Sequence, residues 1–197
     1  MKLDIVLGMP ALVSMAHGLS VPQGAVEVLQ PWQLTALGTS SPPGSGSSPN
    51  VTLHAGLRFT IADPNTLNAG PAHRGVAIFP PSTANCTAQW AWGESPFGRM
   101  YNCTEVQYGY WAFEVFETNA KYGSWPLQVF DIRVTRVYNV NVLNNIYTKV
   151  FEGRGSFEIG KNLGGLCGAS GICSFQLKNE SSPVLIQQLR TACSGDC

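Results

Sequence analysis

Apolar and polar residues alternate with a period of two along most of the chain. Alternation over five or more residues is typical of a strand with one buried face. In residues 51–61 the residues that share the apolar face are Leu53, Ala55, Leu57, Phe59 and Ile61. Similar runs, separated by Pro, Gly, Ser and Asn, recur about every 8–12 residues. The predicted strands are 25–37, 51–61, 75–79, 86–92, 99–104, 110–117, 127–136, 148–159, 172–177 and 184–189.

Four of these strands allow finer predictions. Residues 110–117 carry aromatic side chains on both faces, and residues 127–136 have a core face. The Gly153-Arg154-Gly155 segment predicts a bulge or bend within 148–159. Residues 184–189 are a strand or, alternatively, a short helix after Pro183. The predicted core face of 127–136 consists of Gln128, Phe130, Ile132, Val134 and Arg136.

Strands at this spacing, with few helical periods, predict an all-β fold: an antiparallel β-barrel or sandwich with long Pro/Gly/Ser-rich loops. Residues 39–50 contain only Thr, Ser, Pro, Gly and Asn, so they predict a flexible loop. Residues 63–75 are predicted to be a second loop because turn-forming residues dominate them.

The first eighteen residues have the pattern of a secretory signal peptide. Lys2 precedes an apolar stretch that runs to Ala16, and small residues follow. Cleavage after either Ala16 or Gly18 satisfies the small-residue rule. We therefore predict a signal peptide over 1–18, a single mature domain over 19–197, and a secreted, extracellular protein.

Composition excludes several classes of protein. Among 197 residues, 12 basic side chains balance 12 acidic ones, which argues against a nucleic-acid-binding protein. No stretch of 18 or more apolar residues is present, which argues against an integral membrane protein. Hydrophobic residues make up 44% of the chain, enough for the core of one domain.

The six cysteines are predicted to form three disulfide bonds, as an even number in a secreted chain suggests. A bond between Cys86 and Cys103 would join neighbouring strands, and closing a loop of that size should stabilise the fold by about 3 kcal/mol. Cys167 and Cys173 flank a Gly-rich turn, and Cys193 and Cys197 remain for each other. Four N-x-S/T sequons also agree with secretion and predict N-glycosylation at Asn50, Asn85, Asn102 and Asn179.

Several short motifs resemble those of the Alternaria major allergen and its fungal relatives, which are small secreted β-barrels stapled by cysteines. The resemblance covers roughly residues 30–175 and includes later aromatic strands and a Cys pair around a Gly-rich turn. The motifs that carry it are Trp32-Gln33-Leu34, the alternating strand 57–61, Asp63-Pro64-Asn65, Cys86-Thr87-Ala88, Phe97-Gly98 and Tyr101-Asn102-Cys103.

The resemblance implies a non-catalytic effector, elicitor or allergen with a role in virulence. Its partner would be a host (plant) extracellular protein or a small aromatic ligand, and the resemblance is compatible with a homodimer, since some members of that family dimerise. No residue of this chain inherits a binding role from the family. The binding face is instead predicted from aromatic residues beside turns in 89–99 and 120–126. Its members are Trp90, Trp92, Phe97, Tyr122 and Trp125.

Two alternatives stay open. Exposed tryptophans would suit a carbohydrate- or cell-wall-binding module, whereas buried ones would only fill the core. A mature chain that begins at His17 would resemble a copper-dependent polysaccharide monooxygenase, with His54 or His73 as the second ligand. The other motifs of those enzymes do not appear in the sequence.

Catalytic residues are not predicted. A glycosidase needs two carboxyl groups about 5–10 Å apart, but the available ones are better explained as solvated charges on strands. These carboxyl groups belong to Glu114, Glu117, Asp131, Glu152 and Glu158. Residues 160–171 are Gly-rich but lack the order of a phosphate-binding loop, so they predict a hairpin turn. We expect no cofactor and no bound metal.

Overall fold

A computed structural model describes residues 28–41, 53–72, 75–91, 94–118, 127–142, 144–169, 171–195 and 197. The described chain is almost entirely β-strand, which confirms the predicted fold class. One 3₁₀ turn spans Asn179–Ser181. The strands are β1 (Trp32–Ser41), β2 (His54–Asp63), β3 (Leu67–Ala72), β4 (Gly75–Phe79), β5 (Ser82–Ala91), β6 (Met100–Asn102), β7 (Gly109–Glu117), β8 (Val129–Val142), β9 (Asn145–Glu158), β10 (Leu163–Cys167), β11 (Cys173–Leu177), β12 (Val184–Ile186) and β13 (Gln188–Ser194).

Two antiparallel sheets form a sandwich. The six-stranded sheet has the order β10-β11-β1-β2-β5, and β12 also pairs with β1. The five-stranded sheet has the order β13-β9-β8-β7-β6, while β3 and β4 form a separate hairpin. The chain crosses between the sheets from β12 to β13, and an isolated bridge joins Cys86 to Cys103 at the β5 edge. The sheets are thus linked along two edges without closing into a barrel.

The core lies between the sheets and is rich in aromatic side chains. Trp32 and Trp111 meet edge-on with ring centroids 4.8 Å apart, and Phe59 contacts Phe113 in the same way at 4.9 Å. Such pairs add stability beyond the area that they bury. The predicted core face of 127–136 is confirmed for Phe130, Ile132, Val134 and Arg136, which are buried, but not for Gln128, which precedes β8 and is only half-buried.

A β-bulge keeps β1 aligned with the core. Thr35 pairs with Thr60 and Gly38 pairs with Arg58, so β1 has one residue more than β2 between these pairs. Ala36 lies there with φ of 50°. The extra residue lets Leu34 and Leu37 both face inward, although they are three positions apart.

The structure corrects the predicted loops and one predicted bulge. The loop predicted over 39–50 begins too early, because β1 continues to Ser41 between β2 and β11, and 42–50 lie outside the described residues. The loop predicted over 63–75 contains β3, and the hairpin turn predicted over 160–171 contains β10. Strand β9 pairs with β8 without interruption, so the bulge predicted at 153–155 is wrong; the irregularity lies in β13, between Arg190 and Ala192. Residues 184–186 form a strand and not a helix.

The glycines of β9 make room for β12 and do not interrupt the pairing with β8. A Cβ atom on Gly153 would lie 2.5 Å from Ile186 Cγ2 and 3.3 Å from Trp32 Cζ3. Ile186 is fully buried at this point of the core. Absence of a side chain at position 153 therefore allows β12 to pack closely on the five-stranded sheet.

All three predicted disulfide bonds are confirmed. Cys86 is bonded to Cys103, Cys167 to Cys173, and Cys193 to Cys197. The first joins the two sheets, and the second links β10 to β11 directly across the hairpin. Among the described residues, no helix is long and apolar enough to cross a membrane. The predicted signal peptide lies outside the described residues.

Candidate functional site

The outer face of the six-stranded sheet contains a groove. Where side chains point away from the core, Gln176 of β11, Gly38 of β1, Arg58 of β2 and Thr87 of β5 form one row across four strands. A second row consists of Ser174, Ser40, Gly56 and Gln89. The register of four strands therefore brings residues from distant parts of the chain onto one surface.

Glycines at the centre of both rows leave the groove hollow. Two adjoining hollows of about 480 and 220 Å³ share Gly38, Arg58, Thr87 and Gln176 in their walls. A Cβ on Gly56 would be in ordinary contact with its neighbours, 3.5 Å from Ser40 Oγ. The larger hollow falls within the range of about 300–1,000 Å³ that is usual for small-molecule sites.

Hydroxyl and amide side chains line most of the groove. Only Arg58 among the lining residues carries a charge. Within the described residues, no carboxylate forms an ion pair with it. Its guanidinium group lies near Gly38, since a Cβ there would be 3.4 Å from Nε. The groove thus offers many neutral hydrogen-bonding groups and one unpaired cation.

Two sequon asparagines line the larger hollow. Thr60 Oγ1 donates a hydrogen bond of 2.8 Å to Asn85 Oδ1, and Asn179 lies at the start of the 3₁₀ turn. Both residues are exposed, as is Asn102, which lines neither hollow. Asn50 is outside the described residues. The three described sequons therefore present their asparagines to solvent.

The predicted aromatic face is not assembled among the described residues. Trp90 has only 3% of its surface exposed and belongs to the core, which corrects its assignment to a binding face. It points inward because β5 alternates and Ala84, Cys86 and Ala88 share its side. Phe97 is half-buried and packs against the core. Trp92, Tyr122 and Trp125 lie outside the described residues.

Ion pairs cover the outer face of the five-stranded sheet. Arg133 pairs with Glu114, and Arg154 pairs with Asp131 at 3.0 Å. Both guanidinium groups lie over the ring of Phe116, about 5 Å from its centroid. Two of the carboxylates considered for catalysis are therefore held by arginines on a surface where charge is balanced.

A polar cluster is buried at one end of the sandwich. The Tyr138 hydroxyl donates a hydrogen bond to Asp63 Oδ2, and Asn65 donates two to Asp63 Oδ1. Arg136 donates to the carbonyl oxygens of Tyr110, Val137 and Gln107 at 2.8–3.2 Å.

Burial shifts the pKa values of two of these groups in opposite directions. It lowers the pKa of the Arg136 guanidinium and, together with the Asp63 carboxylate, raises the pKa of the Tyr138 phenol well above 10.0. The buried hydrogen bonds give this cluster a structural role.

Metal-binding side chains are not clustered in the described part of the chain. No group of three or more His, Cys, Asp and Glu side chains is brought together there. His54 is exposed at the start of β2, while His17 and His73 lie outside the described residues. The copper alternative therefore gains no support from the geometry of His54.

Sequence reasoning missed the groove. Its residues occupy the polar positions of alternating strands, so the pattern assigns them only to a solvated face. The row that they form depends on β1 pairing with β11, more than 130 residues away. Two signals are present in the sequence: Gly56 lies within a predicted strand with Gly38 directly after another, and the Asn85 sequon begins directly before the predicted strand 86–92.

Comparison with known proteins gives no match: no protein-family model, curated protein or solved structure is significantly similar to this chain. The resemblance to the fungal allergen family stays a prediction.

Proposed function

We propose that this chain is a secreted, non-catalytic recognition protein that binds carbohydrate in the groove of the six-stranded sheet. The observation that carries the proposal is the lining of the groove. Hydroxyl and amide groups from four strands converge on a hollow whose one charged side chain is that of Arg58. Hydroxyl-rich ligands exchange hydrogen bonds with such groups, and a rigid sheet holds the groups in place before binding.

The lining favours a sugar over a small aromatic ligand. Sites for aromatic ligands are mostly apolar, with a few polar groups that set orientation. Here Gln176, Thr87 and Asn85 project into the hollow, and the aromatic Phe59 is buried on the core side of its strand. Disulfide bonds and the leader-like sequence of residues 1–18 favour a location outside the cell.

Calorimetric titration tests the proposal with soluble probes: glycol chitin, laminarin, hydroxyethylcellulose and polygalacturonate. The first three test neutral chains, and polygalacturonate tests whether the Arg58 guanidinium selects a carboxylate. We expect saturable binding of at least one probe. Absence of binding to all four by the oxidised, folded and unglycosylated chain would contradict the proposed function.

Two variants locate the binding site. Gly38→Val fills the centre shared by both hollows at the cost of moving the flexible Arg58 side chain, and Arg58→Ala removes the one charge. We expect each to weaken binding about ten-fold or more, as loss of a charged hydrogen bond does. Ser156→Val, on the exposed face of the other sheet, is the matched control and should bind normally. Equal affinities in all three variants would place the site elsewhere.

A further inference from the structure

Sequon asparagines stand in the wall of the groove itself. Asn85 belongs to the row that also contains Thr60 and Thr35, and it lines the larger hollow together with Asn179. Thr87, which completes the Asn85 sequon, lines both hollows. A modification site and a candidate binding surface therefore coincide.

The folded structure leaves the amide nitrogen of Asn85 free to carry a glycan. Thr60 Oγ1 donates to its Oδ1 at 2.8 Å, which fixes the amide group by its oxygen. No hydrogen bond among the described residues uses its Nδ2, the atom to which an N-glycan is linked. The residue is exposed, and its backbone is held by Thr104 across the junction with β6.

We propose that Asn85 carries an N-glycan whose first sugars lie in the groove, so that glycosylation at this position closes the groove to free ligand. The proposal rests on the proposed function, since it assigns the groove a sugar as its occupant. A sugar tethered at Asn85 has an effective concentration in the millimolar range, on the order of that given by a short linker. It would therefore outcompete a weakly binding free saccharide.

Native-state deglycosylation tests this directly. The full chain is secreted from a eukaryotic cell line, and occupancy of each sequon is read by peptide mass mapping. The rate at which an endoglycosidase removes the Asn85 glycan is then compared between the native protein and the reduced, unfolded chain. We expect the native rate to be about ten-fold or more slower at Asn85, because the tethered sugar spends most of its time in the groove.

Two comparisons make the result specific. The Asn102 glycan lies outside the groove and should be removed at similar rates in both states, if that sequon is occupied. Gly38→Val fills the groove and should abolish protection at Asn85. An unmodified Asn85, or a glycan that is removed equally fast from native and unfolded chains, would overturn the proposal.

The same wild-type sequence made in a bacterial periplasm forms disulfides without N-glycans, and it separates this proposal from the proposed function. If the unglycosylated chain binds the soluble probes more tightly than the glycosylated chain does, the result supports a glycan that closes the groove. Equal binding by both forms overturns it. Failure of the unglycosylated chain to bind any probe contradicts the proposed function, while protection at Asn85 still decides where the glycan lies.

Discussion

One tryptophan shows how alternation decides the role of a residue. Trp90 lies beside a turn and was predicted to lie on an aromatic binding face, yet it shares the inward side of β5 with Cys86 and Ala88. Its neighbour along the strand, Gln89, faces the groove instead. The period of the strand was therefore a better guide than proximity to a turn.

Trp90→Ala is expected to lower the free energy of unfolding by about 3–5 kcal/mol, because it removes a buried aromatic side chain and leaves a cavity. Chemical denaturation of the oxidised protein measures this loss. Gln89→Ala, one position along and exposed, should change stability by less than about 0.5 kcal/mol. A Trp90→Ala variant as stable as wild type would show that the Trp90 side chain does not belong to the core.

Tyr138 predicts how stability depends on alkaline pH. Its pKa is raised in the folded protein by burial and by Asp63, whereas in the unfolded chain it ionises near 10.0. The unfolded state therefore releases this proton first. The stabilising contribution of the neutral phenol is complete below pH 10 and is lost as the pH rises above it.

Tyr138→Phe should remove the part of the stability loss above pH 10 that comes from ionisation of this phenol. It should also lower the free energy of unfolding near neutral pH by about 1.5–3 kcal/mol, because Asp63 loses a buried hydrogen-bond donor. Unfolding free energies measured from pH 7 to 11 test both effects. The exposed Tyr110 provides the control, since Tyr110→Phe should leave the pH profile unchanged. If Tyr138→Phe left the pH dependence of the unfolding free energy unchanged, another group would be responsible for the loss of stability at alkaline pH.

For the strands, the sequence predicts which segments are extended better than it predicts how those strands pack on one another. Strands β2, β7, β9 and β11 begin and end within about three residues of where alternation places them, because each has one face in the core, whereas β8 continues to Val142, beyond its predicted end at residue 136. Strand β3 was missed because Gly70 and Pro71 resemble a turn, although Leu67 and Ala69 are buried. Glycines in β9 were misread because their neighbour β12 comes from more than 30 residues away, and local sequence does not report that contact.

Gly153→Ala tests the close packing of β12 on β9. The added Cβ would lie 2.5 Å from Ile186 Cγ2, so the strands must separate or distort. We expect a loss of about 1–3 kcal/mol in unfolding free energy, as for other overpacked sites. Gly164→Ala is the control, because its Cβ would meet only the flexible Lys178 side chain at 3.4 Å. Equal stability of the two variants would contradict the close approach.

The two outer faces of the whole molecule differ in a way that no single strand reveals. One carries balanced ion pairs around Phe116, and the other carries a nearly neutral groove around Arg58. Charge pairs that satisfy each other leave little for a ligand, whereas Asn85, Thr87 and Gln176 expose their polar side chains around a hollow. The cysteine spacing predicted the disulfide framework, but the groove arises only when β11, β1, β2 and β5 are placed side by side.

A backbone amide NMR titration shows directly whether this groove is the binding surface. The isotope-labelled, unglycosylated protein would be titrated with whichever of the four soluble probes binds most tightly in calorimetry. We expect the shifts to concentrate at Gly38, Gly56, Arg58, Thr87 and Gln176, with few changes at Glu114, Arg133 and Arg154. Shifts confined to the ion-paired face, or to the segments 92–99 and 119–126, would contradict it.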